Sequence, residues 1–478
     1  MPAIFFLIPL FGIIALNLPF GKVMRKAAFA FAFALFLIHV SLVLLHHFGS
    51  YISAVEVKGA FFNVSFAVDH LTFIMLLSIG IVALASLIVA RSTISDERER
   101  FNFINILIIA AAGMYGIVMV KDIFTLYVFL EVAAVSAFIM IAIKKDKFAL
   151  EGAFKYILLS AIATVMMLSS VALLLLLSGD TSFSAIRAAL FAPASSVSLV
   201  KIAVGTFLAA LFIKGGLVPF HGWLPDAYSA APAPASILLA GIVTKVSGIY
   251  TLVRIVTELF GFTAALSGML MFVGALSILV GAFAALGQVN FKRMLAYSSI
   301  SQVGYIVIGL GTGTALGIMG AVFHLFNHAI FKSLLFVNSA AVEKETGTID
   351  MEKLGGLSEK MPVTGVTSAI AFLSTSGIPP FAGFWSKLMI IVALWQVKSY
   401  SYAVIAVLAS ILTAAYLVTM QRKVFFGKLT SGLEKTKEAG FGFCAASITL
   451  ALITTGAGIF FPQIFSVLIE PVKEILVR

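Results

Sequence analysis

Seven residues of this chain set a titratable side chain in an otherwise apolar context: Glu131, Lys214, Lys245, His324, His328, Lys332 and Lys387. Glu131 stands in Val128-Phe-Leu-Glu-Val-Ala-Ala134, where a carboxylate must be protonated or face an opposite charge. Lys214 precedes Gly215, Gly216 and Pro219, residues that break a helical ladder and leave backbone groups for a wet cavity to satisfy. An amine there is tunable, because burial works against its charge and a carboxylate restores it. Lys245 lies beside Thr244 and Ser247, hydroxyls suited to ordering water. His324, His328 and Lys332 are four apart and share one helix face, and imidazole changes charge near neutral pH. Lys387 follows a second interruption, Gly377-Ile-Pro-Pro380. Residues of these types in this pattern suit the relay of protons.

Each also has a plainer reading. Glu131 can be half of an ion pair locking two helices, Lys245 can make a helix–helix hydrogen bond, and His324 can be a packed core histidine. Two histidines four apart also match zinc spacing, but no Glu intervenes as in metalloproteases and no acidic third ligand is near, so no metal site is expected. Cys444 is the one cysteine, too few for an iron–sulfur cluster or a thiolate zinc site. No cofactor and no redox or hydrolytic site of the chain's own is expected. His221 and Asp226 flank the first interruption and are expected at its inner mouth. Asp69, His39, His46, His47 and His70 fall near the ends of apolar runs and are expected to face interfacial water.

The elements that must hold these residues are membrane helices. Of 478 residues, 61% are hydrophobic and 11% charged, with a mean hydropathy of +1.11. No single soluble core hides that much apolar surface, and apolar runs long enough to cross a bilayer recur along the whole chain. This excludes a secreted disulfide scaffold, a nucleic-acid binder and a soluble enzyme with a membrane tail. The formal charge of +11 needs no acidic partner, since loops on one side of a membrane collect Lys and Arg. Fourteen spans are expected, near 2–20, 26–46, 68–90, 101–120, 123–143, 150–178, 201–222, 235–257, 263–287, 293–312, 314–340, 362–396, 399–421 and 441–465. With both termini outside, inner loops hold twenty Lys and Arg against seven outside, the bias that orientation requires. Arg254 is read as near a helix end, and Lys292 and Arg293 as an inner loop.

The two interruptions repeat one another: Gly216-Leu-Val-Pro-Phe-His-Gly-Trp223 aligns with Gly377-Ile-Pro-Pro-Phe-Ala-Gly-Phe384, and Phe154-Lys-Tyr-Ile-Leu-Leu159 with Phe331-Lys-Ser-Leu-Leu-Phe336. Counting crossings between the copies predicts an inverted repeat, the architecture that carries discontinuous helices at matching places.

Several stretches resemble one family. Phe220-His-Gly-Trp-Leu-Pro-Asp-Ala-Tyr-Ser-Ala-Ala-Pro-Ala-Pro-Ala-Ser236, Lys292-Arg-Met-Leu-Ala-Tyr-Ser-Ser-Ile-Ser301, His324-Leu-Phe-Asn-His-Ala-Ile-Phe-Lys332 and Ser376-Gly-Ile-Pro-Pro-Phe-Ala-Gly-Phe-Trp-Ser-Lys387 are similar to the signatures of antiporter-like membrane subunits. That family includes the proton-pumping subunits of respiratory complex I, the D-type subunits of Mrp-type sodium/proton antiporters, and equivalents in membrane-bound hydrogenases and sulfane reductases. The resemblance spans roughly residues 60 to 430 and is closest to the D-type Mrp branch. It implies an all-α membrane fold of about fourteen helices with discontinuous helices 7 and 12. Helices 1–3 then occupy 1–100, two inverted five-helix repeats occupy 101–260 and 261–421, and 422–478 holds a loop and the last helix. It implies that Glu131, Lys214, Lys245, His328 and Lys387 occupy the family's relay positions, in a multi-pass subunit of a larger cell-membrane complex whose partners are other membrane subunits. Protons, and in some complexes sodium, are the cargo. A self-contained solute transporter or a purely structural subunit are the alternative readings.

Overall fold

The computed structural model describes residues 2–18, 21–48, 53–58, 63–193 and 196–476. The chain is a multi-pass helical membrane protein. Helices α1 (Pro2–Leu16), α2 (Gly21–Phe48), α3 (His70–Thr93), α4 (Glu97–Met119), α5 (Ile123–Ala142) and α6 (Lys147–Ser178) lead to a short surface helix, α7 (Phe183–Leu190). They are followed by α8 (Val197–Gly215), α9 (Trp223–Ala230), α10 (Ala233–Phe260), α11 (Ala264–Leu286), α12 (Phe291–Gly311) and α13 (Ala315–Thr346). The last are α14 (Pro362–Ser376), α15 (Ala382–Gln396), α16 (Tyr400–Val424) and α17 (Phe441–Ile459). Among the described residues, twelve helices are long and apolar enough to cross a membrane, α8 and α9 counting together as one. The stretch 2–20 is represented by a shorter apolar helix, and 362–396 by the two short helices α14 and α15.

The helix ends follow from local chemistry. Asp69, Asp96, Asp122 and Asp146 each cap a helix by accepting from a backbone N–H three residues on, at 2.7–2.9 Å, satisfying donors that have no intrahelical partner. Much of the scarce acidic complement is thereby held at span ends. The helical bundle carries one element that sequence reading did not anticipate, an antiparallel hairpin of β1 (Ser53–Lys58) and β2 (Asn63–Val68). Its register is short and lies between two strong apolar runs, so period-2 alternation gives little signal there.

Burial sorts the bundle into a centre and a rim. The most apolar windows of α10 and α13 are wholly buried and that of α12 nearly so, whereas only a third of those in α2 and α6 is. The rim helices therefore present apolar faces outward, as lipid-facing helices do. The central helix α10 is not a regular α-helix: Leu239–Val243, Lys245–Tyr250 and Val256–Phe260 are π-helical. Such widened turns recur at functional sites and free backbone carbonyls.

Two expectations need correction at the end of the bundle near the hairpin. Asp69 and His39 do not face interfacial water, and Arg254 is not at an exposed helix end; all three are buried. His39 stacks on Tyr115 with ring centroids 4.4 Å apart and bonds the Leu76 carbonyl at 3.0 Å. Arg254 forks onto Asp69, Nη1 to Oδ2 at 2.6 Å and Nη2 to Oδ1 at 2.9 Å, and also bonds Thr72, Tyr250 and Glu258. Lys121 closes the network on Glu258 at 2.7 Å. Two cations and two carboxylates thus neutralise one another where α3, α10 and the α4–α5 turn meet. The side chains of His46 and His47 lie outside the described residues, and His70 is half-buried.

Asp69 is both a cap and half of a bidentate buried pair, so Asp69→Ala takes the bidentate partner from Arg254, leaving it Glu258, in addition to uncapping α3. We expect a loss of roughly 3 kcal/mol, against about 1 kcal/mol for Asp96→Ala, whose residue is an exposed cap. Denaturation of the purified protein in detergent measures the difference; equal losses would show that the network adds nothing to the cap.

Candidate functional site

Both interruptions are built the same way. At the first, Gly216 adopts φ +65°, its N–H bonds the Ile213 carbonyl at 3.1 Å and the Leu217 N–H reaches back to the Phe212 carbonyl at 3.0 Å. At the second, Gly377 adopts φ +81°, its N–H bonds Ser374 O at 3.0 Å and the Ile378 N–H bonds Leu373 O at 3.0 Å. This is the Schellman ending, which needs a left-handed residue and satisfies carbonyls that a stopped helix would orphan. Each is followed three residues later by a cis proline, Pro219 or Pro380. The remaining polar groups are met from elsewhere: Trp223 Nε1 donates to Ile213 O at 3.1 Å, and Ser277 Oγ accepts from Val218 N at 3.1 Å.

The two lysines reach their interruptions from opposite sides. Lys214 belongs to the last turn of α8, ahead of the break, while Lys387 belongs to α15, beyond it. The two lysines therefore stand on opposite sides of their breaks along the chain. Lys387 folds back so that its amine bonds Thr375 O, in the last turn of α14, at 2.9 Å. Both ammonium groups sit near the carbonyl end of a half-helix, where the helix dipole favours a cation.

Lys214 Nζ lies 3.0 Å from Glu131 Oε1 and 3.4 Å from Ser160 Oγ. Thr164 donates to the same carboxylate oxygen at 2.7 Å. The pair is asymmetric, with the Lys214 side chain 3% exposed and that of Glu131 28%. Next in line is Lys245. The α8 and α10 backbones almost touch where Gly215 meets Gly248, since a Cβ on Gly248 would lie 2.3 Å from the Gly215 Cα. That approach brings the Lys245 segment against the first break. The Lys245 amine bonds Ala240 O, five residues back across a π-helical turn, lies 3.4 Å from Thr244 Oγ1 and sits 5.9 Å from the centre of the Tyr228 ring. Tyr228 in turn shares a 2.6 Å hydrogen bond with Thr244.

His324 and His328 stack with centroids 6.3 Å apart. His324 Nδ1 pairs with Ser386 Oγ at 2.9 Å, linking it to the residue before Lys387. Both His328 ring nitrogens are buried with no hydrogen-bond partner among the described residues, and Lys245, Lys332 and Lys387 all act on it electrostatically. Lys332 bonds Ser298 Oγ at 2.9 Å and Leu295 O at 3.3 Å. Lys387 lies 4.5 Å over the Tyr305 ring. The structure thus buries six of the seven sequence-derived candidates and leaves Glu131 partly exposed, as the Glu131–Lys214 pair followed by a basic group around His328. Among the described residues, Lys245, Lys332 and Lys387 make no ion pair with a carboxylate.

Several contributors were missed. Tyr228, Ser298 and Ser386 lie inside the signature stretches without having been singled out, while Ser160, Thr164 and Tyr305 carry no sequence signal, since a hydroxyl in a helix most often bonds its own backbone. Lys292, read as a loop residue, is buried and pairs with Glu343. Asp226 is at the mouth as expected, bonded to Lys155 at 2.6 Å and to Arg293, while His221 is half-buried.

A polytopic helical bundle with two capped helix breaks and a buried run of titratable groups is the architecture of an ion-translocating membrane subunit. The family described as NADH:quinone oxidoreductase/Mrp antiporter, TM matches residues 120–413. The D subunit of a Na(+)/H(+) antiporter from Alkalihalophilus pseudofirmus is 33% identical over 371 residues, 77% of this chain and 74% of that protein. The chain belongs to this antiporter-like membrane family. Its fold is that of a chain in the Mrp complex from Dietzia sp. DQ12-45-1b, with a TM-score of 0.91 over 99% of this chain and 97% of that one at 22% identity. A chain of the archaeal membrane-bound sulfane sulfur reductase is 28% identical, with a TM-score of 0.84 over 95% of this chain and 75% of that one.

The second break offers a local test. Alanine at Gly377 would force a side chain into a left-handed conformation and set its Cβ 3.0 Å from Lys387 Cδ. The left-handed strain costs about 1–2 kcal/mol, and the Lys387 side chain that bonds Thr375 O must give by a few tenths of an ångström. We expect Gly377→Ala to lower stability by that amount and to lower transport more than Gly347→Ala, where φ is also positive but nothing lies near.

Proposed function

We propose that this chain is a proton-translocating, antiporter-like subunit of a hetero-oligomeric complex in the cell membrane, of the Mrp or ion-pumping respiratory type. Glu131, Lys214, Lys245, His324, His328, Lys332 and Lys387 form its proton relay, with waters between them. The observation that carries this reading is the contrast within the buried charges. Ion pairs at the bundle ends are neutralised, whereas Lys245, Lys332 and Lys387 lie inside with hydroxyls, carbonyls and aromatic rings but no carboxylate among the described residues. A structural lock would pair its charges. Groups whose charge must change are better served by neutral partners, because each proton that arrives alters the energy of the next site. The pair Glu131–Lys214 supplies the switch: separated, it leaves a positive charge facing Lys245, and closed, it screens it.

The relay begins at one helix break and ends at the other. In this reading three helices in 1–100 precede two inverted repeats, 101–260 and 261–421, followed by a loop and a final helix in 422–478, fourteen crossings in all. The near-identical Schellman breaks support the repeat, and the excess of Lys and Arg in alternate loops supports both termini lying outside. A cysteine introduced at Lys145 should then be labelled by an impermeant reagent only from the inner side of sealed vesicles, and labelling from the outer side would reverse the orientation.

Either Glu131→Ala or Lys214→Ala should abolish ion-coupled transport while the complex still assembles, because removing one charge leaves its partner locked in one state. Lys387→Glu should retain more transport than Lys387→Ala, since it keeps a titratable group at the break. Lys387→Arg should be poor despite its charge, since arginine does not release a proton in a protein. The measurement is gradient-driven transport in vesicles at equal complex abundance. Wild-type transport with arginine at 387 would make that residue a fixed charge and favour the reading of a purely structural role.

A further inference from the structure

At the end of the bundle opposite the hairpin, a polar cavity of about 490 Å³ is lined by Lys144, Glu151, Asp226, Lys292, Arg293 and Glu343 among others. Glu343 also lines an adjoining cavity of about 540 Å³. It is therefore a carboxylate that both cavities reach. Its partner is less exposed. Lys292 Nζ pairs with Glu343 Oε2, yet the Lys292 side chain is 2% exposed against 33% for Glu343.

Helix stability does not explain that placement. Lys292 occupies the first turn of α12, where the positive end of the helix dipole disfavours a cation, and a long lysine beside a wet cavity is free to snorkel into it. It is instead drawn inward, behind the carboxylate. Just under one turn further along α12 is Leu295, whose carbonyl accepts from Lys332 at 3.3 Å, and nearly two turns along is Ser298, whose hydroxyl accepts from the same amine at 2.9 Å. Leu295 is only about 4.5 Å along the axis from Lys292. On α13, Lys332 and Glu343 are eleven residues apart, close to three full turns, so they lie on nearly the same face. The α12–α13 seam thus carries two polar groups, Glu343 with Lys292 at the water and Ser298 with Lys332 deeper, Lys332 lying about 16 Å along the α13 axis from Glu343. The deeper one meets the buried basic group at Lys332, far along the chain from Glu131 and Lys214.

We propose that the Glu343–Lys292 pair is a second aqueous gate, exchanging protons between this cavity and Lys332 independently of the Glu131–Lys214 pair. The inference rests on the relay reading above. In one transfer, the Lys292 ammonium gives a proton through water or the Ser298 hydroxyl to a neutral Lys332 amine. The Glu343 carboxylate then takes a proton from water in the cavity and passes it to the Lys292 amine, which restores the ion pair. Only N–H and O–H bonds break and form, and the net result is one proton moved from cavity to Lys332. The reverse order discharges Lys332. Lys292 needs a releasable proton for this, and Glu343 needs a titratable carboxyl; an ion-pair strut needs neither to titrate.

That difference sets the experiment. Lys292→Arg preserves the charge and the pairing with Glu343 but does not release a proton, and Glu343→Gln keeps size and hydrogen bonding without a titratable group. Both are assayed in the intact complex, in vesicles, for gradient-driven proton transport at equal abundance, beside Glu131→Ala. The expected result is a fall of about tenfold or more in both gate variants, with assembly retained. Wild-type transport in Lys292→Arg overturns the gate and leaves the pair a strut. Should the arginine variant fail to assemble, Glu343→Gln decides alone, and wild-type transport there overturns the proposal. The two levels of argument separate cleanly: Glu131→Ala inactive with both gate variants at wild-type level defeats the gate only, whereas Glu131→Ala active defeats the relay itself.

Discussion

Inside a bilayer no solvent rescues an unpaired peptide group, and that constraint governs where this chain can open itself to water. It interrupts two helices in the middle of the bundle, and each interruption is closed by replacement hydrogen bonds. Gly216 and Gly377 turn the backbone, the next two N–H groups reach back to close the helix end, and side chains from elsewhere take what remains. Trp223 serves Ile213, Ser277 serves Val218, and Lys387 serves Thr375. The lysine at the second break is thus part of the backbone accounting as well as a candidate for chemistry. The same geometry that stops the helix holds the charge.

Charge is divided by depth. Near the ends of the bundle, cations and anions are matched: Arg254 and Lys121 with Asp69 and Glu258, Arg293 and Lys155 with Asp226, Lys292 with Glu343. These arrangements fasten helices that hydrophobic packing alone holds weakly in lipid. Deeper, matching stops after Glu131–Lys214. The three remaining lysines are surrounded by dipoles and rings, which stabilise a cation less than a carboxylate does and leave its protonation responsive to neighbours. Rigid ends and a responsive middle are complementary properties, since a relay works only if its stations stay in register while their charges change.

The central helix α10 shows how a local irregularity serves that middle. Widened turns around Lys245 put the Ala240 carbonyl within reach of its own amine. The absence of side chains at Gly215 and Gly248 lets α8 press against this segment. A regular α-helix with a bulkier residue at 248 would hold the first break and Lys245 further apart.

Much of this was legible in the order of residues. Apolar runs required membrane helices, Gly and Pro inside such runs required breaks, and lysines within them required partners or titration. The family resemblance implied relay positions at Glu131, Lys214, Lys245, His328 and Lys387. Those inferences are local, resting on what one segment cannot avoid in hydrocarbon. Folding alone decided matters of pairing between segments. Arg254 looked like a helix-end residue and Lys292 like a loop residue, because nothing near them in sequence reveals that Asp69, 185 positions away, or Glu343 closes on them. Hydropathy could not announce the π-helical turns of α10, because its registers differ by one residue per turn and the composition is the same. Nor could it show that Lys387 reaches back across its own break, since that depends on how α14 and α15 are set against each other. Burial of a charge in mid-span could be read from the sequence; near the bundle ends both the burial and the identity of what neutralises it belong to the packed bundle.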